Sequence, residues 1–296
     1  MESLGRNVGG TARDVVAGVS LATGLVRQSP DEWTWDLPET WLQGRGVWGG
    51  LILAGAVRAA ELVVSNYNPD VPVPSVRSVS GAMAAPLLAG RARLVTRVIR
   101  RGSAVTTIGV DLINSPTNEI AATTNVVIAG PRVTALDVGG PAWEIAPPDD
   151  VAAALLRGVP DVPDADTAGL APEFFQHLAV RPIQGYPGQQ DPTATTLGWL
   201  RLIDENHTAD AAWLAAMTDA WWTMSQVGTD GRRPVATVSF HTDLIADPTA
   251  LDPSDYLLHV GRTYGARAGY VSESRELWTR QGTIAARMSQ VVAVIR

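Results

Sequence analysis

Two stretches of the chain are apolar with the spacing of helices rather than strands. The first runs from about Gly50 to Val64, GLILAGAVRAAELVV, and the second is Ala211–Met224, AAWLAAMTDAWWTM. On the second, Trp213, Leu214, Met217, Ala220, Trp221 and Met224 share one broad face, and Ala215, Ala216, Trp222 and Thr223 lie opposite. A helix apolar on all sides belongs in a protein interior. Asp219 is the sole charge there. Either it reaches solvent between the Trp rings, or it is buried and must find partners or hold its proton more tightly.

Around these helices the period changes to two. Glu32–Leu37 alternates Trp with polar residues and reads as a strand. From Val76 to Ile128 the pattern is strands throughout. Arg91, Arg93, Arg97 and Arg101 fall on one face with Leu94 and Val98 on the other, the mark of a half-solvated antiparallel strand. That arginine row is either a solvated face or a surface for an anionic ligand. Arg101–Ser103 turns into Ala104–Ile113, and Ser115–Asn118 turns into Glu119–Ala129. Residues 130–196 are rich in Pro, Gly and Asp, with a short helix over Asp150–Leu156 and a strand over Phe174–Ile183. After the second helix, strands are expected at Pro234–Leu244, Asp255–Arg262, Ala268–Leu277 and Thr283–Ile295.

The order of elements therefore repeats, and one segment repeats in residues: IAATTNVV from Ile120 lines up with IAARMSQV from Ile284. The same offset sets Gly55 opposite Asp219. A sheet that curls around an apolar helix buries it on nearly all sides. The expected fold class is α+β, with two antiparallel sheets in tandem, each wrapped around a long central helix. Residues 1–30 form an N-terminal extension, 31–130 the first unit, 131–170 a linker and 171–296 the second unit.

Composition narrows the chemistry. The 296 residues carry a formal charge of −7 and no basic cluster, which argues against nucleic acid as a partner. The absence of Cys removes disulfides and thiolate catalysis. All 23 basic residues are Arg, so neither a Schiff-base lysine nor a Walker-type phosphate loop is available. His177, His207, His241 and His259 lack metal-ligand spacing, and no metal is expected. Gly44-x-Gly46-x-x-Gly49 matches the dinucleotide fingerprint formally. The segment before it, Pro38–Gln43, is no buried parallel strand, and the strands after α-helical Gly50–Val64 follow without a further helix, so a turn into a closely packed helix is the better reading. No Gly-x-Ser-x-Gly elbow is present. Glu2, Arg6, Arg13 and Asp14 interrupt the N-terminal segment, and no run of about 18 apolar residues follows, so no membrane insertion and a cytoplasmic location are expected.

Several motifs carry a resemblance. They are Gln43–Gly50 (QGRGVWGG), Ala85-Pro86 with Gly90, Arg101-Gly102-Ser103, Trp199–Leu202 (WLRL), Met217-Thr218-Asp219, Ala236-Thr237-Val238 and Ser289-Gln290. From about Trp33 to Arg296 the chain resembles the acyl-CoA thioesterase II-like (TesB-like) family of double hotdog proteins. The resemblance implies hydrolysis of fatty acyl-CoA to free acid and CoA, with no cofactor, and allows a homodimer or higher homo-oligomer. It assigns Asp219, Thr237 and Gln290 to holding the hydrolytic water, and the backbone amides of Gly49 and Gly50 to polarising the thioester oxygen. Met83-Ala84 before Ala85-Pro86 and the bulky Trp221-Trp222 pair depart from the family pattern and leave acyl chain length open.

Those residue types suit the chemistry. Thioester hydrolysis needs a positioned water, a proton acceptor and donors aimed at the developing oxyanion. A carboxylate, a hydroxyl and an amide supply the first two, and helix N-terminal amides the third. Gln290 shares a strand face with Met288, Val292 and Val294, where a buried amide requires partners. Simple alternation puts Thr237 on one face with Ser239 and His241, which leaves open a wet strand face, or His241 as the base. Two other functions stand beside hydrolysis. A hotdog hydratase or dehydratase leans on an Asp–His pair, and no Asp-x-x-x-x-His occurs on a hot helix; a non-catalytic acyl-binding module is the other, since fold does not fix function.

Overall fold

The computed structural model describes residues 24–67, 72–132, 145–161, 171–204, 207–230 and 233–295. Most of the expected extension (1–23) and parts of the expected linker (133–144 and 162–170) lie outside the described residues. In chain order, β1 (Leu25–Ser29) and β2 (Glu32–Leu37) precede a short pair, β3 (Leu42–Gln43) and β4 (Gly46–Val47), which leads into α1 (Gly49–Tyr67). Then come β5 (Val76–Met83), β6 (Gly90–Arg101), β7 (Val105–Asn114) and β8 (Glu119–Ala129). The second half has α2 (Asp149–Arg157), β9 (Leu178–Gln184), β10 (Thr195–Leu202), α3 (Ala211–Met217) and α4 (Met224–Gly228). It ends with β11 (Val235–Leu244), β12 (Leu257–Arg267), β13 (Tyr270–Trp278) and β14 (Ile284–Val294).

The expectation of two separate sheets is corrected. The strands form one 12-stranded antiparallel sheet in the order β1-β2-β6-β7-β8-β5-β11-β14-β13-β12-β10-β9. Read inward from its two ends, the order repeats: β1-β2-β6-β7-β8-β5 against β9-β10-β12-β13-β14-β11. The halves meet where β5 pairs with β11, from Ala82 opposite Ser239 to Ser78 opposite Asp243. Pairing there satisfies backbone groups that two separate sheets would each leave open.

Helix α1 lies against β5 to β8 on one side and α3 on the other. Its length and composition would let it cross a membrane, but most of its surface is buried inside the protein. Helices α1 and α3 run antiparallel: Gly50 at the start of α1 meets Ala216 near the end of α3, while Arg58 binds Asp210 at the start of α3. Asp210 also caps α3 by accepting from the Trp213 N–H at 2.8 Å. The expected arginine row on β6 pairs with carboxylates on neighbouring strands, Arg93 with Glu32, Arg91 with Asp36 and Arg97 with Asp111. It is a charge-matched outer face. Helix α2, read as part of the linker, packs Val151 and Ala154 onto Trp199, Leu258 and Trp278.

The second central helix is shorter than the apolar pattern implies. It stops at Met217, and a break separates it from α4. Thr218 turns its hydroxyl back onto the Ala215 carbonyl at 2.7 Å, and the amides of Thr218, Asp219 and Ala220 reach only three residues back. Side-chain back-bonding of this kind competes with helix propagation and tightens the last turn. Asp219 therefore sits in the turn after the helix, not on its flank.

Candidate active site

Asp219 is buried, as is Arg275, the side chain bonded to its carboxylate. Its Oδ1 accepts from Arg275 Nη1 at 2.7 Å. The N-terminus of α1 faces the carboxylate: the Gly50 amide favours its ionised form, and a Cβ on Gly49 would come within 2.5 Å of Oδ2. Helix N-terminal amides attract negative charge in this way. Trp48 Nε1 donates to the Asp219 carbonyl at 2.9 Å and anchors the turn. Burial dominates all the same. It raises the Asp219 pKa from 3.8 to about 6, against Arg275, which lowers it, with Glu273 adding to the rise.

Thr237 and Gln290 come together. Thr237 Oγ1 donates to Gln290 Oε1 at 3.2 Å, and Gln290 Nε2 donates to Glu273 Oε1 at 2.6 Å. Glu273 Oε1 also accepts from Arg275 Nε and Nη2, at 3.2 and 3.1 Å, and its Oε2 from the Met224 amide at 3.0 Å. Arg275 thus bridges Glu273 to Asp219, and one chain of hydrogen bonds, charge-assisted from Gln290 onward, joins the three expected residues. The chain has a direction. Glu273 Oε1, already receiving a guanidinium, needs a donor from Gln290, so the amide turns its NH₂ that way and its oxygen to Thr237. The Thr237 proton is then committed, and its lone pairs remain to accept from a water.

The strand face of Gln290 is as expected, buried beside Met288 and Val292. That of Thr237 is not shared with His241. A β-bulge between Thr237 and Ser239 shifts the register against β14. Beyond it the inward positions become Phe240, Thr242 and Leu244, while His241 points to solvent and binds Asp243 at 2.9 Å. One extra residue reverses the alternation. His241 is thereby removed as a base. The buried His259 is no Asp partner either: its Nε2 bonds Thr196 at 3.0 Å and its ring stacks on Trp221. Burial first, and Arg275 second, hold its pKa well below the ordinary value, which keeps it neutral.

Sequence reasoning missed Glu273 and Arg275. The signal was there: Val271, Glu273, Arg275 and Leu277 occupy one face of β13, so two opposite charges stand between two inward apolar residues. At Gly55, the counterpart of Asp219 by repeat offset, Trp35 fills the space; a Cβ there would lie 2.6 Å from its ring. Gly50 is equally constrained, since its Cβ would meet the Trp48 ring at 2.2 Å and the Ala216 carbonyl at 2.5 Å. Gly50→Ala is expected to cost about 1–3 kcal/mol through overpacking, read as a lower urea midpoint. An unchanged midpoint would mean that α1 and α3 separate without penalty.

Two family models cover this architecture. Residues 37–129 match the acyl-CoA thioesterase N-terminal domain, and residues 148–294 match the acyl-CoA thioesterase C-terminal domain. The chain belongs to the acyl-CoA thioesterase family. Membership makes it a thioester hydrolase. Among solved structures, this acyl-CoA thioesterase family member is similar to a hotdog-fold protein of unknown function from Alicyclobacillus acidocaldarius, with 22% identity, TM-score 0.75, and 93% of this chain and 97% of that one covered. It is also similar to a putative thioesterase II from Thermobifida fusca YX, with 19% identity, TM-score 0.72 and coverage of 93% and 96%. A third is the acyl-CoA thioesterase II TesB2 of Mycobacterium marinum, with 15% identity, TM-score 0.66 and coverage of 92% and 94%. These likenesses establish the hotdog fold. No functionally curated protein matches the chain.

Proposed function

We propose that this thioesterase hydrolyses fatty acyl-CoA to free acid and CoA, with the attacking water held by Asp219, Thr237 and Gln290. The observation that carries the reading is the bonded chain from Thr237 through Gln290, Glu273 and Arg275 to Asp219, ending at the N-terminus of α1. In this scheme the water gives one proton toward Asp219 and one hydrogen bond to the Thr237 oxygen, while the second N–H of Gln290 supports its oxygen. The Gly49 amide, joined by the Gly50 amide as it passes from the Asp219 carboxylate to the substrate, stabilises the thioester oxygen as it gains charge. The thiolate of CoA leaves with the proton that Asp219 has taken up.

The finer architecture belongs to the same reading: a tandem double hotdog with units at 31–130 and 171–296, joined by 131–170. One catalytic centre per chain follows from the asymmetry of Asp219 and Gly55. A cytoplasmic setting and a homodimer or higher homo-oligomer complete the proposal.

The test is thiol release from acyl-CoAs of graded chain length, followed with a thiol reagent. The chain has no Cys, so the protein gives no background signal. Release at one or more chain lengths is expected. Its absence at every length ends the reading.

A further inference from the structure

The break between α3 and α4 carries Asp219, and it is tied down from several sides. Trp48 holds the Asp219 carbonyl, and Trp222 Nε1 donates to the Gly185 carbonyl at 2.8 Å. The Met224 amide, where the chain turns helical again, donates to Glu273 Oε2. Glu273 thus fastens the end of the turn with one oxygen. Its other oxygen receives Arg275, which holds the Asp219 carboxylate, and Gln290, its direct cross-strand partner on β14. Every group aimed at the two oxygens is an N–H donor, the surroundings of an ionised carboxylate.

The cluster carries one carboxylate more than it has cations. Among the described residues, Asp219 and Glu273 each have Arg275 as their ion-pair partner. All three are buried, so their charges are weakly screened. Arg275 stands between Gly261 on β12 and Met288 on β14. From there it gives Nε and Nη2 to Glu273 and only Nη1 to Asp219. An aspartate alone with the whole guanidinium would be a closed ion pair and a poor proton acceptor. Glu273 keeps the pair open.

We infer that Glu273 is a positioning residue of the hydrolysis: by dividing Arg275 with Asp219 and fixing the Gln290 amide, it sets both ends of the cradle that holds the water. Toward Asp219 it acts through charge. Burial chiefly raises the Asp219 pKa to about 6, Arg275 opposes the rise, and Glu273 adds to it. The other groups around Asp219 leave that effect unmasked. Helix α1 offers the Gly50 amide, and His259 of β12, close enough to Arg275 to feel its charge, is neutral. Toward Thr237, Glu273 acts through the amide: with its NH₂ on Glu273, Gln290 has only its oxygen to offer the hydroxyl. This assignment rests on the hydrolytic reading for the water, whereas the coupling of the two carboxylates rests on their contacts.

Glu273→Gln keeps the shape and removes the charge. It leaves Asp219 and Arg275 as a balanced pair, so the variant should fold. Its own NH₂ has to face either the Met224 amide or the Arg275 and Gln290 donors, and in the second case the Gln290 amide turns over. The kcat for acyl-CoA hydrolysis should fall by about 10–100-fold, the size of one charge-assisted hydrogen bond, with KM little changed. The acid limb of the pH profile should move below its wild-type position at about 6. Glu273→Asp keeps the charge but draws it back from Gln290, so kcat should fall while the limb stays in place. Carbon-13 NMR of the Asp219 carboxyl, assigned with Asp219→Asn, follows the same titration without turnover. Wild-type kcat in Glu273→Gln, or an Asp219 titration that the substitution leaves unmoved, overturns the proposal. A limb that falls equally in Glu273→Asp overturns it too, because the charge is still present there. A lowered Asp219 titration in Glu273→Gln, beside a wild type that releases no thiol at any chain length, upholds the coupling and removes the hydrolytic reading instead.

Discussion

Asp219→Asn is expected to lower kcat for acyl-CoA hydrolysis by about 10²–10⁴-fold, with KM little changed, because it removes the proton acceptor and keeps the shape. The wild type should show an acid limb in its pH profile. Burial raises the Asp219 pKa to about 6, so the working carboxylate is present above that pH and is lost as pH falls through it. Thiol release measured from pH 4.5 to 8.5 checks both points together. The assignment fails if the variant keeps wild-type turnover, or if the wild-type limb lies near the ordinary carboxylate value.

Replacing Arg275 by Met should have the largest effect on stability. Arg275 is the cation between Glu273 and Asp219, and all three are buried. Its loss leaves two adjacent carboxylates without a counter-charge, which costs about 3–5 kcal/mol at neutral pH. The pH dependence identifies the cause. A carboxyl whose folded pKa lies above its unfolded value is easiest to bury below the unfolded pKa, and its contribution is lost as pH rises through the folded pKa. The penalty should thus be greatest at pH 8 and shrink toward pH 5, where Asp219 takes up a proton. Urea midpoints of wild type and variant at the two pH values decide it. A penalty equal at both would mean that lost packing, not charge, dominates. Glu61, which burial raises to about 7 despite Arg58, makes the wild type itself lose stability in the same direction.

Much of this was legible along the chain, and the gaps have physical causes. The strands declared themselves because alternation survives wherever one face of a sheet is buried, as at Trp33, Trp35 and Leu37 of β2. The extent of α3 was overread, because apolar content reports burial and not helicity, and the stop comes from one hydroxyl on Thr218. Thr237 was placed on the wrong companions, since a bulge is a two-residue event that periodicity averages away. Asp219 was visible as a lone charge in an apolar run. Its partner Arg275 lies 56 residues on, and only the fold brings the two strands and the turn together. Motif matching found the residues that resemble the family, while Glu273 and Arg275, which tie them together, belong to no motif.

The pairing of β5 with β11 has a consequence for how the molecule holds together. Hydrogen bonding runs without a gap from one half to the other, so the halves should unfold in a single cooperative transition. Expressed apart, each half would present a bare strand edge able to recruit another chain. Carried on one polypeptide, the two edges meet at a high effective concentration, and their union does not weaken on dilution.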